Sequence, residues 1–230
     1  TLPCAATAEI LSQIGFDWLF LDGEHGPLES AELAALLTSI GGRSACLFRV
    51  EEAAETPIKK ALDLGADGII APQVNSAEHA RDVVRWSRYA PQGTRGVGLS
   101  RAHGYGFGFQ DYVASANEKI SVVVQVEHID AVNCIEETVK IEGIDAILLG
   151  PYDLSASMGK MGQINDPEVV AAIGRVTETC LAAKMPLGIF GVAAAHVKPY
   201  IELGYSLIVA GVDTLLLGTA AKTLLSELKG

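Results

Sequence analysis

Residues 57–88 read PIKKALDLGADGIIAPQVNSAEHARDVVRWSR. A helical stretch, Pro57–Leu64, leads through Gly65 into the short apolar run Gly68–Pro72, and a second helical stretch, Ala77–Arg88, follows. A run this short and this apolar is typical of a parallel strand buried on both faces, and glycine favours the left-handed cap after a helix. The segment therefore predicts a strand between two helices, the unit from which parallel α/β sheets are built.

The same alternation of apolar runs and amphipathic stretches covers the whole chain. The strand-like runs are Phe16–Asp22, Ala45–Val50, Gly68–Pro72, Ser121–Glu127, Ala146–Pro151, Pro186–Phe190 and Leu207–Gly211. The other helical stretches are Thr7–Ile14, Leu28–Ser39, Ile129–Ile141, Pro167–Ala183, Ala193–Leu203 and Leu216–Leu228. Repeated units of this kind predict a parallel sheet, either an open doubly wound sheet or a closed barrel.

The number of strands favours the barrel. Seven strands are visible and the sequence opens on a helix, at Thr1 rather than Met, so one strand before Thr1 would complete a set of eight. We therefore expect a (β/α)8 TIM barrel whose first strand is missing from this sequence. No linker divides the 230 residues, a length at which α/β barrels form one domain, so we expect residues 1–230 to be a single domain.

The net charge and the cysteine content limit the classes of ligand that the protein is expected to bind. A net charge of −11 lacks the positive surface that nucleic acids and anionic membranes require, so neither is expected as a partner. The four cysteines form no CxxC motif or Cys/His cluster, which is typical of thiols in a reducing cytoplasm. An anionic metabolite would need a local positive centre in so acidic a protein, either a metal or a particular arginine.

Polar side chains stand at the ends of four apolar runs. The carboxyl ends of parallel barrel strands meet at one mouth, where the functional loops of such barrels cluster. The long irregular segment Arg88–Asp111 is expected to be a functional loop as well. The polar residues that we expect to converge at the mouth are Asp22, His25, Arg49, Gln125, Glu127 and Asp153.

Two carboxylates predict a metal site at this mouth. Gln125 and Glu127 are two residues apart on a strand and share a face, and Asp153 follows the next strand, which lies only about 4.8 Å away. All-oxygen ligation of this kind suits Mg²⁺ or Mn²⁺. The alternative is that Glu127 is solvated and that Asp153 caps the following turn.

Asp22 and His25 predict a carboxylate–imidazole pair, in which the carboxylate fixes the tautomer of the ring and makes it a competent base. Arg49 ends an otherwise apolar strand, and a buried arginine needs an anionic partner. That partner is either a structural carboxylate or a substrate carboxylate or enolate. A structural role remains the alternative for His25 as well.

The positions of the lysines argue against Schiff-base chemistry. A Schiff-base aldolase needs a lysine inside the barrel, and no lysine falls within a predicted strand. Carbonyl chemistry in this barrel would therefore depend on a metal.

Several segments together resemble one family, the HpcH/HpaI aldolases. The matching segments are Gly15-Phe-Asp-Trp-Leu-Phe-Leu-Asp-Gly-Glu-His-Gly-Pro27, Phe48-Arg-Val50, Gly65-Ala-Asp-Gly-Ile-Ile-Ala-Pro72, Pro91-Gln-Gly-Thr-Arg-Gly-Val97, Val124-Gln-Val-Glu127, Gly143-Ile-Asp-Ala-Ile-Leu-Leu-Gly-Pro-Tyr-Asp-Leu-Ser155 and Val209-Ala-Gly-Val-Asp213. They run in order over nearly the whole chain.

The resemblance implies a metal-dependent class II pyruvate aldolase. Such an enzyme cleaves 4-hydroxy-2-oxo acids, either 2-oxo-3-deoxy sugar acids or compounds like 2,4-dihydroxyheptenedioate, to pyruvate and an aldehyde. It implies a divalent cation, with Mg²⁺ first and Mn²⁺ or Co²⁺ as alternatives, on Glu127 and Asp153. Arg49 would stabilise the enolate, and His25 with Asp22 would act as acid and base. It also implies a homo-oligomer, a hexamer or trimer, that swaps its C-terminal helices.

Three departures from the family pattern affect the expected substrate pocket. Tyr152 replaces a small residue between Gly-Pro and Asp, His128 follows Glu127, and Phe190 ends its strand. Each is expected to narrow or reshape the aldehyde site. The residues expected to bind substrate are Gln125, Gly150, Pro151, Tyr152 and Phe190.

Two other functions remain open at this point. One is a citrate-lyase-like carbon–carbon lyase that acts on acyl-CoA thioesters, against which the acidic surface argues weakly. The other is a non-catalytic barrel that binds a sugar acid.

Overall fold

The computed structural model describes residues 1–230 as a curved sheet of parallel strands with helices outside it. The strands are β1 (Trp18–Asp22), β2 (Ala45–Arg49), β3 (Gly68–Ala71), β4 (Ser121–Val126), β5 (Ala146–Leu149), β6 (Leu187–Gly191) and β7 (Leu207–Ala210). Each strand pairs in parallel with the next one along the chain, in the order β1 to β7. This order and direction, with the helices between the strands, confirm the TIM-barrel class.

Helices alternate with the strands, and the sequence predicts all of them except Phe109–Lys119 and Pro151–Ser157. They are α1 (Ala5–Gln13), α2 (Ser30–Ile40), α3 (Glu55–Asp63), α4 (Ala77–Ser87), α5 (Phe109–Lys119), α6 (Ile129–Asn133), α7 (Ile135–Thr138), α8 (Pro151–Ser157), α9 (Pro167–Ala183), α10 (Ala194–Glu202) and α11 (Asp213–Lys229). A 3-10 segment, Arg101–Gly106, precedes α5.

The barrel has seven strands, and β1 and β7 each pair with one neighbour only. The N-terminal residues lie near the resulting gap, since the backbone N–H of Leu2 donates to the Asp213 carboxylate at the start of α11 over 2.7 Å. The expected seven strands are therefore present, and the eighth strand of a closed barrel is absent from this chain.

Two apolar layers hold the barrel together. The layer between sheet and helices is one cluster of 41 buried residues. The interior of the barrel holds a smaller cluster: Leu47, Ile70, Val123, Ala146, Leu148 and Val209. Burial on both faces explains why the strands are continuous apolar runs rather than alternating ones.

The interior cluster also determines where the polar strand ends point. Side chains two residues apart on a strand share a face. Arg49 follows the inward Leu47 by two positions, and Gln125 follows the inward Val123. The apolar interior therefore continues directly into polar side chains at the carboxyl ends of the strands.

The structure corrects several predicted boundaries. The stretch predicted as one helix over Ile129–Ile141 is two short helices separated at Cys134. The run Ala146–Pro151 ends at Leu149, because Gly150 and Pro151 already begin α8. Proline at the first helical position favours this start, since its missing N–H has no helical partner there.

The long segment after α4 is held away from the mouth. Arg95 is buried, pairs with Asp63 on α3 over 2.7 Å, and stacks on the Tyr89 ring at 4.5 Å. No residue of the segment Arg88–Asp111 lines the large cavity of the barrel. The segment is therefore anchored against α3 and not placed in the cavity, and its expected function stays a prediction.

The last helix, α11, has no buried residue. Its exposed leucines are Leu215, Leu216, Leu217, Leu224, Leu225 and Leu228. No helix of the chain combines the length and the apolar character needed to cross a membrane.

Candidate active site

A tight turn after β1 builds one side of the site. The backbone N–H of Gly23 donates to the Arg49 carbonyl over 2.8 Å, which extends the β1–β2 pairing past the strand end. A side chain at Gly23 would place its Cβ 2.4 Å from the Phe48 ring, so only glycine allows this approach. The turn therefore brings the side chains on either side of Gly23 against the end of β2.

Asp22 and Arg49 form a bidentate ion pair. They are directly opposite in the β1–β2 register, and Nε and Nη2 of Arg49 donate to the Asp22 carboxylate over 2.9 and 2.8 Å. The Asp22 carboxylate also accepts the backbone N–H groups of Glu24 and His25. The guanidinium lies 5.2 Å from the centre of the Phe20 ring. Both charged groups are thus held in one orientation at the top of the barrel.

The pairing shifts the pKa values of both groups toward their charged forms. Burial alone would raise the pKa of Asp22, but the hydrogen bonds and charge of Arg49 outweigh it, and the pKa is lowered. Burial would likewise lower the pKa of Arg49, but its contacts with Asp22 raise it. The pair is therefore ionised at neutral pH.

The structure does not pair the Asp22 carboxylate with the His25 ring, as the sequence suggested. Asp22 contacts only the backbone N–H of His25, over 3.3 Å, because its oxygens face Arg49. The imidazole is 68% exposed, and its Nε2 lies 3.9 Å from an oxygen of Glu24. The expected carboxylate–imidazole pair is thus corrected: the carboxylate near the ring is that of Glu24.

Glu24 is the site residue that the sequence analysis missed. Its carboxylate lies 3.0 Å from Nη1 of Arg49, so two carboxylates share one guanidinium. Burial raises its pKa, despite the positive charge of Arg49. The signal was present in the Asp-Gly-Glu-His segment, but only the tight turn at Gly23 directs the Glu24 side chain inward.

Glu127, which is buried at the end of β4, belongs to a second part of the site, away from the turn after β1. It follows β4, is 2% exposed, and accepts the backbone N–H of Gln73 over 2.8 Å. Its second oxygen accepts a hydrogen bond from the amide of Gln125. Burial raises the pKa of Glu127, more than these hydrogen bonds lower it. A cation would favour the charged carboxylate in this position.

The turn from β5 into α8 brings Asp153 toward Glu127. The backbone N–H of Gly150 donates to the Val126 carbonyl over 3.0 Å. A Cβ at Gly150 would lie 2.9 Å from the Cβ of Glu127, so glycine permits the close approach of the two strand ends. Asp153 lies in the first turn of α8 and is exposed toward the mouth.

These residues fit a divalent cation of the magnesium type. No group of three or more His, Cys, Asp or Glu side chains is close enough to hold a metal. Mg²⁺ needs no such cage, because one or two carboxylates suffice when water and substrate fill the other positions. The buried Oε1 of Gln125 has no hydrogen-bond partner and lies beside this site. Glu127 and Asp153 therefore satisfy the donor requirement of Mg²⁺.

A cavity of 630 Å³ joins the two sides of the site. No lysine lines it, in agreement with the exclusion of Schiff-base chemistry. Two site residues lie outside the lining: Glu24, and Glu127, which is buried against Gly150. The proposed residues that line the cavity are Asp22, His25, Arg49, Gln125, Gly150, Pro151, Tyr152, Asp153 and Phe190.

The three departures from the family pattern have different positions. Tyr152 and Phe190 line the cavity and are 55% and 45% exposed, so both face the space where a substrate would enter. His128 does not line the cavity. Its ring caps α6 by accepting the backbone N–H of Asp130 over 3.1 Å, so the expected effect of His128 on the pocket is wrong.

An arginine and several carboxylates lie at the carboxyl ends of the strands, where the active sites of TIM-barrel enzymes are built, so the fold and the site together define an α/β-barrel enzyme. The model of the HpcH/HpaI aldolase/citrate lyase family matches residues 2–220. The chain belongs to this family.

Relatives of known name are similar to this chain in sequence over nearly its full length. The hydroxypyruvate/pyruvate aldolase of Agrobacterium fabrum is 36% identical over 228 residues, which cover 98% of this chain and 86% of the relative. The 4-hydroxy-2-oxo-heptane-1,7-dioate aldolase of Shigella sonnei is 38% identical over 227 residues, covering 97% and 86%. The crystal structure of an HpcH/HpaI aldolase/citrate lyase family protein from Burkholderia cenocepacia superposes with a TM-score of 0.94 at 34% identity, covering 100% and 92%.

Proposed function

We propose that the protein is a carbon–carbon lyase, a class II aldolase that cleaves 4-hydroxy-2-oxo acids reversibly to pyruvate and an aldehyde. The observation that carries the proposal is the convergence of the Asp22–Arg49 pair and Asp153 on one cavity without a lysine, with the buried Glu127 directly against Gly150 of the lining. The names of the relatives support the same reaction class.

The charge balance of the site supports a bound cation. Asp22, Glu24 and Glu127 act on the guanidinium of Arg49, and Asp153 lines the same cavity, in which Arg49 is the one arginine or lysine, so three negative charges are unbalanced when all four carboxylates are ionised. A substrate anion would add to this excess. We therefore propose that Glu127 and Asp153 hold a divalent cation, Mg²⁺ in the first place, and Mn²⁺ or Co²⁺ as alternatives.

A bound divalent cation supplies Lewis acidity, which disperses the negative charge that forms on the 2-oxo oxygen as the C3–C4 bond breaks. Arg49 uses two of its five N–H donors in hydrogen bonds to Asp22, and its Nη1 lies within ion-pair distance of Glu24. The N–H donors that remain can bind the same oxygen or the substrate carboxylate. Because the guanidinium is already fixed, it does not need to reorganise as charge develops.

His25 is proposed as the acid and base. Its ring is exposed at the mouth, where it can take the proton of the 4-hydroxyl group, directly or through one water. In the reverse direction it returns that proton to the alkoxide. Asp22 contributes through Arg49 and through the backbone of His25 rather than as a partner of the ring.

Tyr152 and Phe190 are proposed to determine which aldehyde is accepted. Both line the cavity together with Gly150 and Pro151. Tyr152 places a phenol where the family pattern has a small residue, and Phe190 adds a phenyl ring, so the two side chains favour compact aldehydes over bulky ones.

We also propose one domain over residues 1–230 and a homo-oligomer, a hexamer or trimer, whose subunits exchange α11. The support is that α11 has no buried residue and that its six leucines are at least half exposed, an apolar surface that a monomer would leave in water. Light scattering on a column tests this: a monomeric mass, unchanged when α11 is deleted, would contradict it.

Metal removal tests the proposed reaction. We expect EDTA to abolish pyruvate release from a panel of 4-hydroxy-2-oxo acids, and Mg²⁺, Mn²⁺ or Co²⁺ to restore it. Glu127→Gln should lose metal affinity and activity together, whereas the exposed Glu52→Gln should change neither. Malyl-CoA and citramalyl-CoA serve as competing substrates, and their cleavage without cleavage of any 4-hydroxy-2-oxo acid would contradict the proposal.

A further inference from the structure

We propose that Glu24 is a positioning residue for the reaction, because its carboxylate fixes the outer nitrogen of Arg49 and lies between this guanidinium and the ring of His25. The inference rests on the proposed function, in which Arg49 and His25 act on the substrate. It concerns the orientation of those two groups and is separate from the metal site.

Two carboxylates divide the contacts of Arg49 between them. Asp22 occupies Nε and Nη2, on one edge of the guanidinium. The opposite nitrogen, Nη1, meets only Glu24, over 3.0 Å. Contacts on both edges fix the plane of the guanidinium and the direction in which its remaining N–H groups point. Without Glu24, the guanidinium keeps its anchor on Asp22 but loses the contact that sets Nη1.

The turn that carries Glu24 is built to direct this side chain inward. Its backbone N–H donates to the Asp22 carboxylate over 3.1 Å, and Gly23 permits the close approach to β2. At Gly26 a Cβ would lie 2.5 Å from the Asp22 carbonyl oxygen, so the turn also closes tightly at its other end. The Glu24 side chain is 18% exposed. A surface glutamate would need none of these constraints.

Glu24 has no obvious structural reason to be buried. One of its oxygens is shielded from solvent without a well-aligned hydrogen bond, although it lies within ion-pair distance of Arg49. A second carboxylate beside Asp22 costs desolvation and like-charge repulsion, which a residue selected for stability alone would avoid. The same oxygen lies 3.9 Å from Nε2 of His25, so it faces both proposed catalytic groups.

Four proteins test the inference: the wild type, Glu24→Ala, Glu24→Gln and the control Glu52→Gln. Glu52 is exposed in the turn after the same strand β2, so the control removes an equal charge nearby. Glu24→Gln keeps an oxygen that can accept from Nη1 and serves as the conservative variant. The measurements are crystal structures, kcat and KM for cleavage, and the dissociation constant for Mn²⁺.

We expect Glu24→Ala to lower kcat/KM about 10- to 100-fold, mainly in kcat, as for the misplacement of a group that acts on the transition state. The Arg49 guanidinium should adopt a second orientation in its crystal structure. Glu24→Gln should lose less than about tenfold, and Mn²⁺ affinity should stay within about twofold in all variants, because Glu24 does not hold the metal. If Glu24→Ala does not fold, Glu24→Gln decides the outcome.

A double-mutant cycle separates positioning from a general structural role. In an Arg49→Lys background, Glu24→Ala should have less than about a twofold effect, because the two residues act as one unit. An unmoved guanidinium, an undiminished loss in the Arg49→Lys background, or a parallel loss of Mn²⁺ affinity would each overturn the inference. If the wild type cleaves no substrate, the proposed function fails, and the crystal structures alone decide whether Glu24 orients Arg49.

Discussion

Replacing Asp22 by alanine is the perturbation whose cost follows most directly from the structure. The Asp22 carboxylate accepts hydrogen bonds from Arg49 Nε and Nη2 and from two backbone N–H groups, and its side chain is 9% exposed. Asp22→Ala removes all four bonds at once. It leaves the Arg49 guanidinium in a largely buried position with Glu24 as its one remaining partner.

The expected destabilisation lies at the lower end of the range for a broken buried ion pair, which is about 3–5 kcal/mol. The lower end applies because Glu24 still contacts Nη1, and because the Arg49 side chain is 12% exposed and can recruit water. We therefore expect a loss of about 3 kcal/mol, or roughly 6–12 °C in Tm for a chain of this length.

Thermal unfolding of the metal-free protein at pH 7 measures this loss. The matched control is Asp82→Ala, which removes a carboxylate of the same type from an exposed pair with Arg85 at 2.8 Å. Such a pair contributes about 1 kcal/mol at most, so the control should shift Tm by no more than about 4 °C. Equal shifts for Asp22→Ala and Asp82→Ala would refute the reasoning, since the buried pair would then count no more than an exposed one.

Three further predictions concern other parts of the molecule. Because burial raises the pKa of the Cys46 and Cys180 thiols to about 12, a thiol reagent at pH 8 should leave both unmodified in the folded protein, label the exposed Cys4, and reach all four cysteines only after unfolding. The pKa of Asp22 is lowered, with Arg49 outweighing burial, so its stabilisation is present above the usual Asp pKa of about 3.9 and is lost as pH falls through the lower folded value. Asp22→Asn should therefore flatten the acid limb of a stability–pH curve, and an unchanged limb would contradict this. Tyr152→Ala should raise kcat/KM for bulky aldehydes relative to small ones in the condensation direction, and an unchanged ratio would remove Tyr152 from the specificity site.

The fold was predictable because burial on both faces of the strands makes each one a short apolar run. The same pattern located the site. Arg49 and Gln125 each follow an inward-facing apolar residue, Leu47 or Val123, by two positions on the same strand and therefore also face inward. Because residues two apart on a strand share a face, the inward positions within each strand also indicate which residues at its end point into the mouth. Helix α8 was missed because its start at Pro151 continues the apolar run of β5 without a polar break.

The pairing of side chains within the site was less predictable. Asp22, Glu24 and His25 lie within four residues, and the sequence does not say which carboxylate meets the ring and which meets Arg49. That choice follows from the direct opposition of Asp22 and Arg49 in the strand register and from the close approach at Gly23. Both are long-range features, since β1 and β2 are separated by α2. The position of the long segment around Arg95 depends in the same way on a distant partner, Asp63.

Exchange of the pyruvate methyl protons with deuterated water tests the central claim most directly, because it reports enolate formation without any choice of aldehyde. We predict exchange that requires a divalent cation, stops with EDTA, and is lost in Glu127→Gln and in Arg49→Ala. Exchange that survives EDTA together with a borohydride-trapped pyruvate adduct on a lysine would contradict it, as would the absence of exchange in the metal-loaded wild type.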